Sequence, residues 1–428
     1  MSAMNRRRAL LAMLPALLAE PVFAQERGLA KSKRPENSDL PALDDYFGTF
    51  VMRQRIPGLS VALTKNSKLV YNRGFGLANI EKNLPMLATS QQRIASISKT
   101  ITAVAILQCV QNKKLKLDTP ILDVLAWKPF PQLRKKQDPR WKEVTVLHCL
   151  QHTQGNDRDL SFDPLDKTWE ILKELDLPAP LSAEATAQYM LSQPLDFDPG
   201  TRYSYGNVGF LLLGRIIERI TKKKYAEYVQ QEIWKPLGVS TASIARAVPA
   251  NRPKNEVSYY EANAHIGTSF YPPTTGQMVA APDGASNIEA FEGHSGWVTT
   301  ARDLVRFACD FDTPAKAKLL NEESIEILWQ RPTIADTRKR PGTNYYGCGW
   351  NVRRVMGGVN CWHFGILAGV SSLVVRRSDG HCWSVLANGD YLPGTKQEIT
   401  GQLAEGIHPV VDGIRVWPDK DGFDSPLK

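Results

Sequence analysis

Arg93-Ile94-Ala95-Ser96-Ile97-Ser98-Lys99-Thr100, followed by the apolar run Ile101 to Val110, is the stretch from which the rest of this chain is read. The run is predominantly apolar, which predicts a buried helix with a serine and a lysine one turn apart at its start. Residues three apart on a helix are neighbours, with Cβ atoms about 5–6 Å apart, so Lys99 reaches the Ser96 hydroxyl. A serine hydroxyl is a weak nucleophile until a base takes its proton, and a lysine desolvated by an apolar helix is lowered towards that task. The helix start adds unpaired N–H groups and a positive dipole end, both favourable to a developing oxyanion.

The same spacing recurs at Ser425-Pro426-Leu427-Lys428, where a proline lies inside it and no apolar helix follows, so it is set aside. Two further motifs accompany the first. Tyr205-Gly206-Asn207 is the only Tyr-x-Asn in the chain, and His-x-Gly occurs at His265, His294 and His363. Only His363-Phe364-Gly365 lies among predicted strands, where a strand edge beside the Ser96 helix offers a backbone N–H to a reacting carbonyl and glycine permits close approach. His294 is followed by a predicted helix, which suits a loop or packing role, and it stands second.

Around these motifs the pattern changes along the chain. A helix is predicted from about Leu43 to Gln54, then strands at Leu59–Thr64 and Leu69–Arg73 around a polar turn. From Leu115 to about Phe311 the pattern is mainly helical, with Val208–Ile220 an apolar run and Thr299–Phe311 a helix that Thr300 would cap, Asp303 standing in the capping-box position. Strands return at Tyr346–Val352, Val370–Arg376 and Cys382–Ala387, with Asp379-Gly380 a hairpin signal. Strands at both ends around a helical middle imply one antiparallel sheet built from both termini, with flanking helices and a helical insertion. That is an α+β sandwich.

Length and composition fit a globular protein: 428 residues, 43% hydrophobic and 23% charged. At the N-terminus Arg6-Arg7-Arg8 leads into the apolar Ala9 to Ala19 and then Val22-Phe23-Ala24, which reads as a secretory signal peptide over residues 1–24. The apolar run is too short for a membrane span, so no stable insertion is expected after cleavage, and the tandem arginines leave both general and twin-arginine export open. Residues 25–39 read as a linker, 40–410 as the folded domain and 411–428 as a tail. The location expected is periplasmic or secreted.

Losing residues 1–24 removes three arginines and one glutamate and leaves the formal charge of +9 two units lower. The basic clusters, such as Lys222-Lys223-Lys224, lack interleaved aromatics and read as solvated surface, so no nucleic-acid partner is expected. Six scattered cysteines do not make a disulfide framework; Cys361 and Cys382, flanking the predicted hairpin, are either a bridge or buried thiols. His148 and His152 have metal-ligand spacing but lack the glutamate of a zincin, so they read as packing and turn residues; no metal or cofactor is expected.

The ordered set Ser96-x-x-Lys99, Tyr205-x-Asn207 and His363-x-Gly365 resembles the serine β-lactamase and penicillin-binding-protein family, in particular its class C-like and esterase branch. Pro57-Gly58-Leu59-Ser60-Val61-Ala62, His152-Thr153-Gln154-Gly155, Pro199-Gly200-Thr201, Pro236-Leu237-Gly238 and Thr300-Ala301-Arg302-Asp303-Leu304 extend the likeness from about Leu40 to Asn388. The resemblance implies acyl-enzyme chemistry. Ser96 attacks an ester or amide carbonyl, Lys99 and a phenolate-like Tyr205 share the proton, and Asn207 orients Lys99 and substrate. The N–H groups of Ser96 and Ile366 hold the oxyanion, with His363 and Gly365 at the substrate. A phenolate needs a cation to lower the ordinary tyrosine pKa of about 10, and Lys99 is the nearest candidate.

One departure matters. Many relatives carry Lys-Thr-Gly in the third motif, where cation and hydroxyl hold a substrate carboxylate; His363 and Phe364 stand there instead. The reading is therefore an exported serine hydrolase acting on a small ester, amide or D-amino-acid peptide, with a β-lactamase or DD-peptidase and a non-catalytic binding protein of the same fold as alternatives. An α/β-hydrolase is a third reading, against which stands the lack of a Gly-x-Ser-x-Gly elbow. Loops Lys128–Trp141 and Asn156–Thr168 would shape substrate choice.

Overall fold

The computed structural model describes residues 39–133, 136–334 and 344–424. The signal-peptide and linker expectations up to residue 38 lie outside them, as does Ser425-x-x-Lys428. Helix α1 (Pro41–Gln54) precedes the strands β1 (Gly58–Lys65), β2 (Lys68–Asn79) and β3 (Leu84–Pro85), and then comes α2 (Ser98–Gln111). After a long middle segment containing α3 (Val208–Thr221) and α4 (Ala301–Cys309), the chain returns to strands β4 (Tyr345–Tyr346), β5 (Asn351–Val355), β6 (Gly358–Leu367), β7 (Val370–Arg376) and β8 (His381–Ala387). It closes with α5 (Ile399–Gly413).

The strands form one sheet in the order β3-β2-β1-β8-β7-β6-β5-β4, with antiparallel pairing throughout. The two chain ends meet at its centre, where β1 pairs with β8 from Leu59↔Ala387 to Lys65↔His381. Both faces are covered, and the period of two divides the side chains between them. Leu59, Val61 and Leu63 join Leu373, Val375, Trp383 and Val385 under α1 and α5, whereas Ala62, Val374 and Leu386 face the core that contains α2, α3 and α4. Burial of each such aliphatic side chain contributes on the order of 1.5–3 kcal/mol. In α2, Ser98 to Cys109 are all buried, which explains a helix with no polar face.

Several expectations change in detail. β2 continues past Arg73 to Asn79 because Gly74 brings its backbone against the Met86 carbonyl, a close approach that carries no apolar signal. The predicted strand Tyr346–Val352 is a tight hairpin, β4 pairing with β5 as Tyr346↔Asn351 around Gly349 at φ +80°. Beyond the expected domain end at 410, α5 runs through Pro409 to Gly413, held by Leu403, Ile407 and Val411 against the sheet.

Thr300 does cap α4, accepting from the Asp303 N–H; the Asp303 carboxylate takes the hydroxyls of Thr299 and Thr300. Cys361 and Cys382 are both free and do not form a bridge. Each is in register with Arg376 from opposite sides, so they sit two strands apart. That is roughly 9–10 Å, beyond disulfide reach.

Candidate active site

Ser96 lies in a single helical turn, Ala95–Ile97, that runs directly into α2. The turn is gripped from both sides: the Ile94 N–H donates to the Trp297 carbonyl at 3.0 Å, and the Ser372 hydroxyl donates to the Ile94 carbonyl at 2.8 Å. Ala95 is held at φ +47°, a left-handed conformation that costs a residue with a Cβ about 1–2 kcal/mol. The grip holds that strained geometry in place. A Cβ at Gly365 would stand 2.5 Å from the Ile94 carbonyl oxygen and 2.9 Å from the Ala95 Cβ. The bare Cα is therefore required by the protein's own backbone, because only glycine lets β6 lie against the Ser96 turn.

Lys99 is fully buried, with Nζ 3.0 Å from Ser96 Oγ, 2.8 Å from Asn207 Oδ1 and 3.1 Å from the His294 carbonyl oxygen. A neutral amine has two hydrogens and one lone pair. Two carbonyl oxygens take the hydrogens, and the lone pair is left facing the Ser96 hydroxyl. Burial pushes Lys99 down to about 7, with Asp163 pulling it back up and Arg158 adding to the depression. The free amine is thus a major species at neutral pH.

The Tyr205 hydroxyl hydrogen-bonds with Ser96, and its ring lies 5.0 Å from Lys99 Nζ. Its pKa departs from the phenolate expectation. Burial pushes Tyr205 above the ordinary phenol range, and the bond to Ser96 offsets only part of that, so the group stays a phenol at neutral pH. It is placed to relay a proton rather than to begin as the base.

His363 is also neutral. Its Nδ1 lies 2.6 Å from the Phe364 carbonyl, which can only accept, so Nδ1 carries the hydrogen and Nε2 accepts from the Tyr346 hydroxyl at 3.0 Å. Burial, reinforced by Lys99, pushes the imidazole down to about 3. Phe364, one residue on, has its ring against the α1–α5 core and also reaches the wall of the cleft.

The cleft above Ser96 has a volume of about 500 Å³. One wall is the main chain of β6. β5 pairs with β6 only as far as Asn351↔Trp362, so on that side residues 363–367 form an open edge, with Ile366 lining the cleft. The opposite wall carries Arg158, Asp159, Asp163 and Asp166. Ser96, Lys99, Tyr205, Asn207, His363, Gly365 and Ile366 are thus brought together from α2, the start of α3 and β6.

His294, the second choice among the His-x-Gly triplets, contributes its carbonyl to Lys99 and not its ring. His148 caps its own short helix, its Nδ1 accepting from the Thr145 N–H. His152 packs at 4.5 Å between the rings of Tyr205 and Tyr346. Sequence reasoning missed Asp163, Arg158 and Tyr346, which sit in loops or a tight hairpin with no periodic signal; Asp163-Pro164 was the one local hint.

The Beta-lactamase family model matches residues 43–406, most of the chain. The chain belongs to the beta-lactamase family. It is a serine hydrolase of that family, and its fold is the family's. Protein flp of Staphylococcus aureus (strain N315) is 23% identical over 376 residues, covering 86% of this chain and 68% of the relative. Esterase EstB of Burkholderia gladioli is 28% identical over 214 residues, 48% of this chain and 52% of the esterase. The D-amino acid amidase of Ochrobactrum anthropi SV3 superposes with a TM-score of 0.65 at 20% identity, covering 88% of this chain and 98% of the amidase. Among the described residues of this beta-lactamase family member, no helix is long and apolar enough to cross a membrane.

Proposed function

We propose that this protein is an exported hydrolase that forms an acyl-enzyme at Ser96 and turns over a small ester, amide or D-amino-acid peptide. The observation that carries the reading is the surround of Lys99: a buried Nζ 2.8 and 3.1 Å from two carbonyl oxygens and 3.0 Å from Ser96 Oγ, so that in the neutral amine the carbonyls take the hydrogens and the lone pair is left for Ser96. In acylation Oγ bonds to the substrate carbonyl carbon while its proton passes to Lys99, and the carbonyl electron pair moves onto oxygen. The N–H groups of Ser96 and Ile366 are assigned to that oxyanion, where preorganised donors are worth several kcal/mol.

Collapse expels the leaving group, which takes up the proton held by the Lys99 ammonium, with the Tyr205 hydroxyl standing beside Ser96 at the reacting atoms. Water then repeats the sequence on the acyl ester with the same base. The names of relatives, an esterase and a D-amino acid amidase, support both leaving-group types. A panel of aryl acetates, D-amino-acid amides, D-Ala dipeptides and a cephalosporin on one preparation tests the substrate class. Failure of a fluorophosphonate to label the protein would favour the binding-protein alternative.

The base assignment makes a pH prediction. Below a pH of about 7 Lys99 becomes an ammonium with no lone pair, so kcat/KM for an aryl acetate should fall about tenfold per unit on the acid side, with its midpoint close to 7. An ordinary lysine would place that midpoint more than three units higher. A profile still rising at pH 9 would remove Lys99 as the base.

Export rests on the basic segment, short apolar run and Val22-Phe23-Ala24 end of residues 1–24. N-terminal sequencing of the protein from an envelope or secreted fraction should begin at Gln25. A mature chain that starts at Met1 would refute it.

A further inference from the structure

The loop between the His152 turn and the helix that starts at Thr168 brings to Lys99 a carboxylate that none of the three motifs contains. Asp163 is 7% exposed, and both of its oxygens are used: Oδ2 accepts from Asn207 Nδ2 at 2.7 Å, and Oδ1 accepts from the Leu165 N–H at 3.1 Å. An amide has a donating and an accepting end, whereas a carboxylate only accepts, so the carboxylate dictates how the amide lies. With Nδ2 turned to Asp163, Oδ1 is turned to Lys99. The reverse orientation would aim N–H donors at the amine and compete with Ser96 for its lone pair.

Asn207 immediately precedes α3, where an asparagine side chain ordinarily caps the helix, yet here it makes no cap bond. Its amide is committed to Lys99 and Asp163 instead. We infer that Asp163 is a positioning residue for the Ser96 reaction: it locks the Asn207 amide with the oxygen on Lys99 and so keeps the amine's lone pair directed at Ser96. This rests on the reading of Lys99 as base and Ser96 as nucleophile. The line Asp163–Asn207–Lys99–Ser96 follows the logic of a catalytic triad, in which a third group orients the base.

The charge of Asp163 acts on the same amine. The ionisable groups around Lys99 are Asp163, Arg158 and His152 from the loop and the turn before it, Tyr205 ahead of α3, His294 from the loop before Trp297, and His363 from β6. Burial keeps the three imidazoles and the phenol neutral at pH 7. Asp163 favours the ammonium and Arg158 opposes it. Removing the Asp163 charge therefore makes the amine freer at lower pH.

Two variants separate orientation from charge. In Asp163→Asn the single amide oxygen can still accept from Asn207 Nδ2, so the Asn207 orientation is kept while the charge and the Leu165 N–H bond are lost. Asp163→Ala loses both. For an aryl acetate, Asp163→Ala should lower kcat by about twentyfold or more with KM within about twofold, since a misaligned base slows chemistry without weakening binding. Asp163→Asn should hold kcat within about threefold on the alkaline plateau and move the acid limb of kcat/KM about half to one unit to lower pH. An unchanged kcat in Asp163→Ala, an acid limb in Asp163→Asn that stays put or moves up, or losses confined to KM would each overturn the inference.

Thermal melts by circular dichroism report whether Asp163→Ala folds; if it does not, Asp163→Leu, which also removes both the acceptor and the charge but fills the space, takes its place with the same expected loss of kcat. Ser96→Ala is assayed alongside. If that variant still turns over substrate, the serine reading has failed; if it is inactive while both Asp163 variants behave as wild type, only the role of Asp163 has.

Discussion

Ser96→Ala is expected to abolish labelling by a fluorophosphonate and to lower turnover of an aryl acetate by about 10⁴-fold or more. Ser96 is the hydroxyl that stands 3.0 Å from a buried amine and at the open edge of β6. Lys99→Ala should come within about tenfold of the same loss, because members of one proton-transfer unit are strongly non-additive. Lys99→Arg should be no better: a guanidinium stays protonated, and it offers donors where the reaction needs a lone pair. Intact-mass analysis of the labelled protein should show a single adduct. An adduct retained in Ser96→Ala would place the nucleophile elsewhere.

A preference for esters over lactams is the second large effect. An aryl acetate should exceed a chromogenic cephalosporin in kcat/KM by about 10³-fold, a difference of roughly 4 kcal/mol in transition-state binding. The reason lies at the third motif. His363 is neutral, its Nδ1–H committed to the Phe364 carbonyl and its Nε2 to Tyr346, so no cation stands where many relatives have a lysine.

Phe364 offers no hydroxyl either. On the opposite wall Arg158 is accompanied by Asp159, Asp163 and Asp166, so a lactam carboxylate finds no net positive surface there. Loss of a charge-assisted hydrogen bond to a carboxylate is worth about 1.5–3 kcal/mol, and here two such donors are missing. The oxyanion donors serve both substrates alike and do not enter the ratio. Measured on one preparation, a kcat/KM ratio that favours the cephalosporin would overturn this.

The parts of the site that were legible in the sequence are those set by neighbours along the chain. Ser96 and Lys99 meet because a helix brings residues three apart together, and the apolar run behind them announces a desolvated lysine before any fold is known. The central strands were readable from alternation, and their placement at both chain ends was enough to imply a shared sheet. Where glycine interrupts alternation, as in the second half of β2, the pattern stops although the strand does not. Cys361 and Cys382 looked like partners because they flank a hairpin, but register places Arg376 between them.

By itself, then, the sequence determined the pairing of Ser96 with Lys99, the buried helix that follows them and the two-ended sheet, since each depends on short-range periodicity. Tertiary structure alone decided which atoms surround Lys99. Asp163, the His294 carbonyl and the Asn207 amide come from segments more than forty residues apart, and nothing local to any of them encodes the meeting. The protonation states were decided there too. Tyr205 stays a phenol and His363 a neutral imidazole because burial, a property of the whole packed molecule, costs more for the charged form than the neighbouring groups give back.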